Sequence, residues 1–194
     1  MGFPLQPVVL SIPSLVYMAV KKARGEPWKQ ILGNLGWQGF QVLDLLWSLA
    51  VLALLALLAW GAFQVVPAGL LAGDNVSTAQ YVGWQRSLTS FMLACLREAF
   101  YVALGEEIFF RGFIGGCLVR RWGFAVGNTV QALVFLVPHL LLLTVGLGIW
   151  PILIVQLIAG WLLGWLRFRS GSILPAWLVH SLTNALGALG AMAG

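Results

Sequence analysis

The sequence predicts an all-α protein: a polytopic bundle of about five or six membrane-spanning helices with a polar site at mid-membrane depth. Of the 194 residues, 60% are hydrophobic and only 9% are charged, whereas soluble domains carry roughly 25% charged residues. Continuous apolar stretches near the ~20 residues needed to cross a bilayer recur along the chain. They are Val42–Val66, Phe124–Val145, Ile149–Leu166 and Ile173–Met192. A transmembrane β-barrel would instead show alternating segments of about ten residues.

The whole chain, residues 1–194, is expected to form a single integral membrane domain. In residues 1–39, the apolar stretch Phe3–Val20 is short and contains three prolines, which leaves both a short span and an interfacial segment open. A basic loop follows it. Residues 40–194 are predicted to form the helical core. Within the core, residues 86–120 are too long for one straight span, and Gly105 is a candidate break.

Basic residues predict the orientation of the helices. They form three groups: one of Lys21, Lys22, Arg24 and Lys29, one of Arg120 and Arg121, and one of Arg167 and Arg169. The positive-inside rule places all three on the cytoplasmic side, with residues 67–85, including Asp74 and Asn75, in an outer loop. Only Arg86 lies on the opposite side. A multi-pass protein of the cell membrane, the inner one in a bacterium, is therefore expected.

The net charge of +5 does not indicate a nucleic-acid-binding protein, because the basic residues lie at the ends of apolar stretches and form no binding stripe. A disulfide framework is not expected either, since Cys95 and Cys117 both lie in membrane-length segments. The spacing of Gly160 and Gly164 predicts a helix-packing contact.

Ionisable residues inside apolar segments are costly, so they usually have a partner or a function. Three of the six acids, Glu98, Glu106 and Glu107, lie in one helical region, and both histidines, His139 and His180, lie in predicted spans. Glu98 is expected to pair with Arg97 near the outer face. The others fall at a similar depth on three helices and can converge.

Helical spacing divides the convergent residues by role. Glu107 and Arg111 are four residues apart, which predicts a structural ion pair, whereas Glu106 points about 100° away and is left to face a cavity. His180 and Asn184 share one face of the last helix, and Phe135 and His139 repeat that spacing earlier in the chain.

A carboxylate beside imidazoles and an amide in an apolar cavity favours water activation, with His180 and Asn184 as donors to a developing oxyanion. The sequence offers no pair of mid-membrane aspartates, no HExxH zinc motif and no serine-protease loop. Hydrolysis of an amide without a covalent intermediate is therefore predicted.

Three sequence motifs resemble those of one known family. Residues 106–112 read EEIFFRG, residues 135–139 read FLVPH, and residues 180–184 read HSLTN after the lead-in GSILP. In this order they resemble the EExxxR, FxxxH and HxxxN motifs of the CPBP family, the CAAX-protease and bacteriocin-processing intramembrane endopeptidases. The motifs lie within residues 105–184. Pro138, directly before His139, departs from the family pattern and bears on the placement of that histidine.

The resemblance implies a glutamate-dependent endopeptidase without a required metal or other cofactor. Glu106 would be the water-activating glutamate, assisted by His139. Glu107 and Arg111 would be the supporting pair, and His180 with Asn184 the oxyanion-stabilising pair. The implied substrate is a lipidated or membrane-inserted protein or peptide held in the bilayer, cleaved near its C-terminal region.

Two alternatives fit the same residues. A proton-coupled transporter would also place Glu and His at mid-membrane depth, although the sequence shows no inverted repeat. A zinc-dependent intramembrane hydrolase could use Glu106, His139 and His180 as metal ligands.

Overall fold

A computed structural model describes residues 5–71 and 77–192 of the chain, so Asp74 and Asn75 of the predicted outer loop lie outside the described residues. The helices are α1 (Leu5–Ala23), α2 (Trp28–Leu35), α3 (Val42–Val65), α4 (Ala68–Leu71), α5 (Leu88–Arg97), α6 (Leu104–Glu106), α7 (Gly116–His139), α8 (Trp150–Ser170) and α9 (Ile173–Ala191). Two π-helical segments, Glu98–Ala103 and Glu107–Gly115, flank α6. Short 3₁₀ segments span Ser77–Tyr81, Leu140–Thr144 and Leu147–Ile149.

Four helical stretches in the described part of the chain are long and apolar enough to cross a membrane: Val42–Val65, Leu88–Thr144, Leu147–Ser170 and Ile173–Ala191. The second stretch is folded at Gly123, whose φ of 76° and ψ of 170° are not helical and suit a residue without a Cβ. A Cβ on Gly127 would meet the backbone of Val119, so the chain turns back on itself here. The predicted helical bundle is confirmed.

The helical stretch from α5 to α7 does not break at Gly105, contrary to the expectation from sequence. Gly105 is buried within α6, and a Cβ there would lie 2.5 Å from the Cα of Pro7. The glycine therefore allows α1 to pack against α6. The stretch instead departs from regular α-helix in the π segments on either side of α6, and such wider turns frequently occur at functional sites.

Arginines cap two helix C-termini. Arg120 donates to the carbonyl of Asn34 at 3.0 Å, and Arg167 donates to the carbonyls of Gly33 and Asn34 at 3.4 and 3.3 Å, at the end of α2. Arg86 donates to the carbonyls of Leu189 and Met192 at 3.4 and 3.3 Å, at the end of α9. Cationic groups are favoured there because the last carbonyls of a helix carry partial negative charge.

The contact between α7 and α8 confirms the packing role predicted for the two glycines of α8. A Cβ on Gly160 would meet the Phe135 ring at 3.1 Å, and one on Gly164 would collide with the side chain of Asn128. The small residues thus bring α8 close to α7, and Phe135 is held at this contact.

Candidate functional site

The imidazole of His180 lies between two adjacent glutamates. Its Nδ1 is 2.8 Å from Oε1 of Glu107, and its Nε2 is 3.8 Å from Oε2 of Glu106. The first distance is a hydrogen bond, while the second is too long for one. Regular helical spacing predicts that the two carboxylates diverge; in the structure both face the same ring, where α6 passes into the second π segment.

Glu107 and Arg111 form a fully buried ion pair. Arg111 Nη1 is 3.0 Å from Glu107 Oε1, and both side chains are 0% exposed. The guanidinium lies over the ring of Phe135, 4.1 Å from its centroid. Within the described residues, Glu107 Oε2 and the guanidinium nitrogens make no hydrogen bond of good geometry. The two opposite charges therefore compensate each other in a buried site, where His180 is the further partner of Glu107.

Phe135, the aromatic residue of the FxxxH motif, lies at the centre of this cluster. Its ring centroid is 4.7 Å from that of His139 and 6.1 Å from that of His180, and the side chain is buried. Phe110 contacts the same ring edge-on at 5.1 Å. Phe135 thus packs against the ion pair and both histidines and limits the orientations that their side chains can adopt.

The ring of His139 is oriented by its own helix. Its Nδ1 lies 2.8 Å from the carbonyl oxygen of Phe135, and because a carbonyl only accepts, Nδ1 carries the proton. In the neutral ring Nε2 is then an acceptor. Helix α7 continues through Pro138 to His139.

Asn184 does not join the other site residues directly; it bonds to Glu98. Its Nδ2 donates to Glu98 Oε2 at 3.2 Å. Glu98 is buried, and its Oε1 accepts from the Tyr81 hydroxyl at 2.6 Å and from Gln80 Nε2 at 3.4 Å. Burial raises the pKa of Tyr81, and the bond to Glu98 adds to the shift. The predicted interfacial pair of Glu98 with Arg97 is therefore wrong, because the carboxylate points into the bundle toward α9.

A residue from outside all three motifs completes the surroundings of Glu106. Gln6, in the first turn of α1, donates from Nε2 to Glu106 Oε1 at 2.8 Å. Sequence reasoning missed this residue. Its only signal is an amide side chain in the apolar stretch Phe3–Val20, and nothing in the local pattern links it to a carboxylate a hundred residues away.

No three His, Cys, Asp or Glu side chains come together as a potential metal-binding group in the described part of the chain. Glu106, His139 and His180 therefore do not form the compact ligand set that a tetrahedral zinc site requires. The zinc alternative thus finds no support in this geometry.

Comparison with known proteins identifies one family. A family model described as type II CAAX prenyl endopeptidase Rce1-like matches residues 87–186, which include α5 to α8, both π segments and most of α9. No curated protein and no solved structure matches the chain.

Proposed function

Because the chain belongs to the type II CAAX prenyl endopeptidase Rce1-like family, a family of intramembrane endopeptidases, we propose that it cleaves a peptide bond near the C-terminal region of a lipidated or membrane-inserted protein. Glu106 is the proposed general base. The observation that carries the proposal is the position of the His180 imidazole between Glu106 and Glu107.

In the proposed reaction Glu106 takes a proton from a water molecule as the water oxygen bonds to the scissile carbonyl carbon. The carbonyl π electrons move to its oxygen, which becomes an oxyanion. When the C–N bond breaks, the nitrogen leaves with a proton returned by Glu106, and the products are a free acid and a free amine. His139, whose Nδ1 proton is committed to the carbonyl of Phe135, presents Nε2 as an acceptor that can help to orient the water.

His180 and Asn184 are the proposed oxyanion donors. Because Glu107 accepts from Nδ1 of His180, His180 can donate to an oxyanion only through Nε2–H, which requires the doubly protonated imidazolium. In that form both ring nitrogens donate, Nδ1 to Glu107 and Nε2 to the oxyanion. Glu107 therefore orients the ring and balances its charge, while Arg111 balances the charge of Glu107.

The test is a cleavage assay in liposomes with a prenylated C-terminal peptide and the matched peptide without the prenyl group. We expect Glu106→Gln to lose at least a hundredfold in kcat and Glu26→Gln, the same change at a carboxylate that pairs with Lys21, to cleave like wild type. Full cleavage by Glu106→Gln would contradict the proposed base.

Two further arms of the assay address the alternatives. Loss of cleavage with a chelator that is restored by zinc would identify a metalloenzyme. Equal cleavage of both peptides would leave the endopeptidase in place and remove the prenyl group from the substrate requirement. Absence of any cleavage, together with uptake of a solute driven by a pH gradient, would favour the transporter.

A further inference from the structure

We propose that Glu98 is a positioning residue for the reaction and acts through the side-chain amide of Asn184. The inference rests on the proposed function, since it assigns Asn184 the role of oxyanion donor. It concerns a carboxylate outside the three motifs, one helical segment before Glu106, that is buried and bonded across the bundle to α9.

The chemistry of the two side chains fixes the orientation of the amide. An ionised carboxylate has only acceptors, so the group that Asn184 presents to Glu98 must be its NH₂ and not its oxygen. That nitrogen has two hydrogen atoms, and one of them makes the hydrogen bond to Glu98 Oε2, with an N···O distance of 3.2 Å. The other makes no hydrogen bond in the described part of the chain and remains as a donor. Without Glu98 the amide could rotate by 180° and present an acceptor to an oxyanion.

Glu98 is itself held in place from a separate part of the chain. The Tyr81 hydroxyl and Gln80 Nε2 both donate to Oε1, which leaves Oε2 for Asn184. Tyr81 also packs with Ala94 of α5 and with Ala188 and Met192 near the end of α9. The 3₁₀ segment Ser77–Tyr81 therefore fixes the carboxylate relative to the helix that carries the amide.

The order of the contacts along α9 pairs each proposed donor with a different glutamate. His180 bonds to Glu107 and Asn184 bonds to Glu98, so α9 lies antiparallel to the stretch from α5 to the second π segment. Each of the two α9 residues that are the proposed oxyanion donors is paired with a buried glutamate. In this proposal Glu107 orients the ring of His180 through a hydrogen bond, and Glu98 orients the amide of Asn184 in the same way.

The experiment is a double-mutant cycle on Glu98 and Asn184 in the full-length protein in liposomes, with kcat and KM measured separately. We expect Glu98→Ala to lower kcat by roughly tenfold or more, the value of a hydrogen bond to a charged group, and to leave KM within about twofold. Asn184→Ala should lower kcat further. Glu98→Ala combined with Asn184→Ala should be no slower than Asn184→Ala alone, because Glu98 then has nothing to position.

Glu98→Gln and Asn184→Asp, singly and together, provide the second measurement if the alanine variant folds poorly. In the double variant the new Gln amide can donate to the new Asp carboxylate, so the contact is kept while the oxyanion donor is lost. We expect the pair to recover the melting temperature lost by Asn184→Asp and not its kcat. Asp44→Asn, at a buried carboxylate that caps α3, controls for loss of a buried charge outside the site and should retain kcat.

Several results would overturn the inference. Multiplicative losses in the alanine cycle, or recovery of kcat by the swapped pair, would show that Glu98 acts only on the fold or independently of Asn184. If Glu98→Ala had the wild-type kcat while Asn184→Ala was impaired, only the positioning role of Glu98 would be refuted, and the proposed role of Asn184 would stand. Wild-type kcat in Asn184→Ala would instead refute the proposed role of Asn184 in catalysis, and the positioning role with it.

Discussion

His180 and Glu107 are joined by a hydrogen bond of 2.8 Å between Nδ1 and Oε1, and the same oxygen lies 3.0 Å from Arg111. One carboxylate oxygen of Glu107 therefore contacts both His180, a candidate catalytic residue, and the fully buried guanidinium of Arg111. Glu106, the next residue, contacts neither at hydrogen-bond distance: its nearest approach to His180 is 3.8 Å. We therefore expect the adjacent glutamates to have separable effects on stability and on activity.

Substitution of Glu107 by Gln should destabilise the fold, while the same change at Glu106 should not. Loss of the Glu107 charge leaves the guanidinium of Arg111, which is 0% exposed, without a counter-charge. We expect this to lower the free energy of unfolding by about 3–5 kcal/mol. The Glu106 side chain is 12% exposed, and its carboxylate lies 3.8 Å from Nε2 of His180, too far for a hydrogen bond, so its replacement breaks no comparable contact with a fully buried charge. Thermal unfolding in detergent measures the difference, and a Glu106→Gln melting temperature as low as that of Glu107→Gln would contradict it.

The long apolar helices of this protein could be predicted from the local sequence pattern, because a continuous apolar stretch of membrane-spanning length directly indicates a helix buried in lipid. The pairing of Glu107 with Arg111 also followed, since four residues place two side chains on one helical face. The convergence of Glu106 and Glu107 on a single imidazole could not be predicted in this way. It occurs at a π segment, and a regular period of 3.6 residues carries no information about wider turns.

Contacts between residues far apart in the chain could not be predicted from the local sequence pattern either. Gln6 reaches Glu106 over a separation of 100 residues, and Asn184 reaches Glu98 over 86. Arg97, the neighbour of Glu98, made a local pair the obvious expectation. The tertiary alternative is favoured because a buried carboxylate gains more from several directed donors than from one flexible cation near the interface.

The hydrogen bond from Gln6 to Glu106 should contribute to turnover. Gln6→Ala removes the donor to Oε1 and frees the carboxylate to rotate, so we expect kcat to fall by roughly tenfold, the value of one hydrogen bond to a charged group. The melting temperature should change little, since Gln6 is exposed at the start of α1. Kinetic measurement in liposomes tests this, and an unchanged kcat would show that Glu106 is oriented without α1.

Gly105→Ala should disturb the same contact from the other side. The new methyl group would meet the Cα of Pro7 at 2.5 Å, a contact that forces α1 away from α6 and moves Gln6 with it. We expect a loss of kcat at least equal to that of Gln6→Ala, together with a lower melting temperature. Gly61→Ala is the matched control, because a Cβ there meets nothing within 4 Å.

Phe135→Leu should impair catalysis more than stability. Leucine retains apolar bulk, so the loss of stability should stay near or below about 1.5 kcal/mol. The aromatic face that contacts Arg111, His139 and His180 is lost, and both imidazoles gain rotational freedom. We expect kcat to drop at least tenfold. Phe124→Leu, at a ring that packs on Trp161 and Phe168, should have a comparable effect on stability and leave kcat near wild type.

The buried hydroxyl of Tyr81 predicts a loss of stability in alkaline solution. Burial, with a further effect from Glu98, raises the pKa of Tyr81 above the ordinary value of 10.0. A phenol with a raised pKa in the folded state stays protonated after the unfolded chain has begun to ionise. The contribution of the Tyr81 hydroxyl to the free energy of unfolding is therefore complete below about pH 10 and is lost progressively above it.

Melting temperatures of wild type and Tyr81→Phe between pH 8 and pH 11 isolate this contribution. Phenylalanine cannot ionise and has no bond to Glu98, so the variant should be less stable than wild type at pH 8, and the gap should narrow as the pH rises. Tyr101→Phe, at an exposed tyrosine, should follow the wild-type curve throughout. A gap of constant size would contradict the raised pKa of Tyr81, and no gap at any pH would show that Tyr81 stabilises the protein by packing alone, without the hydroxyl that bonds to Glu98.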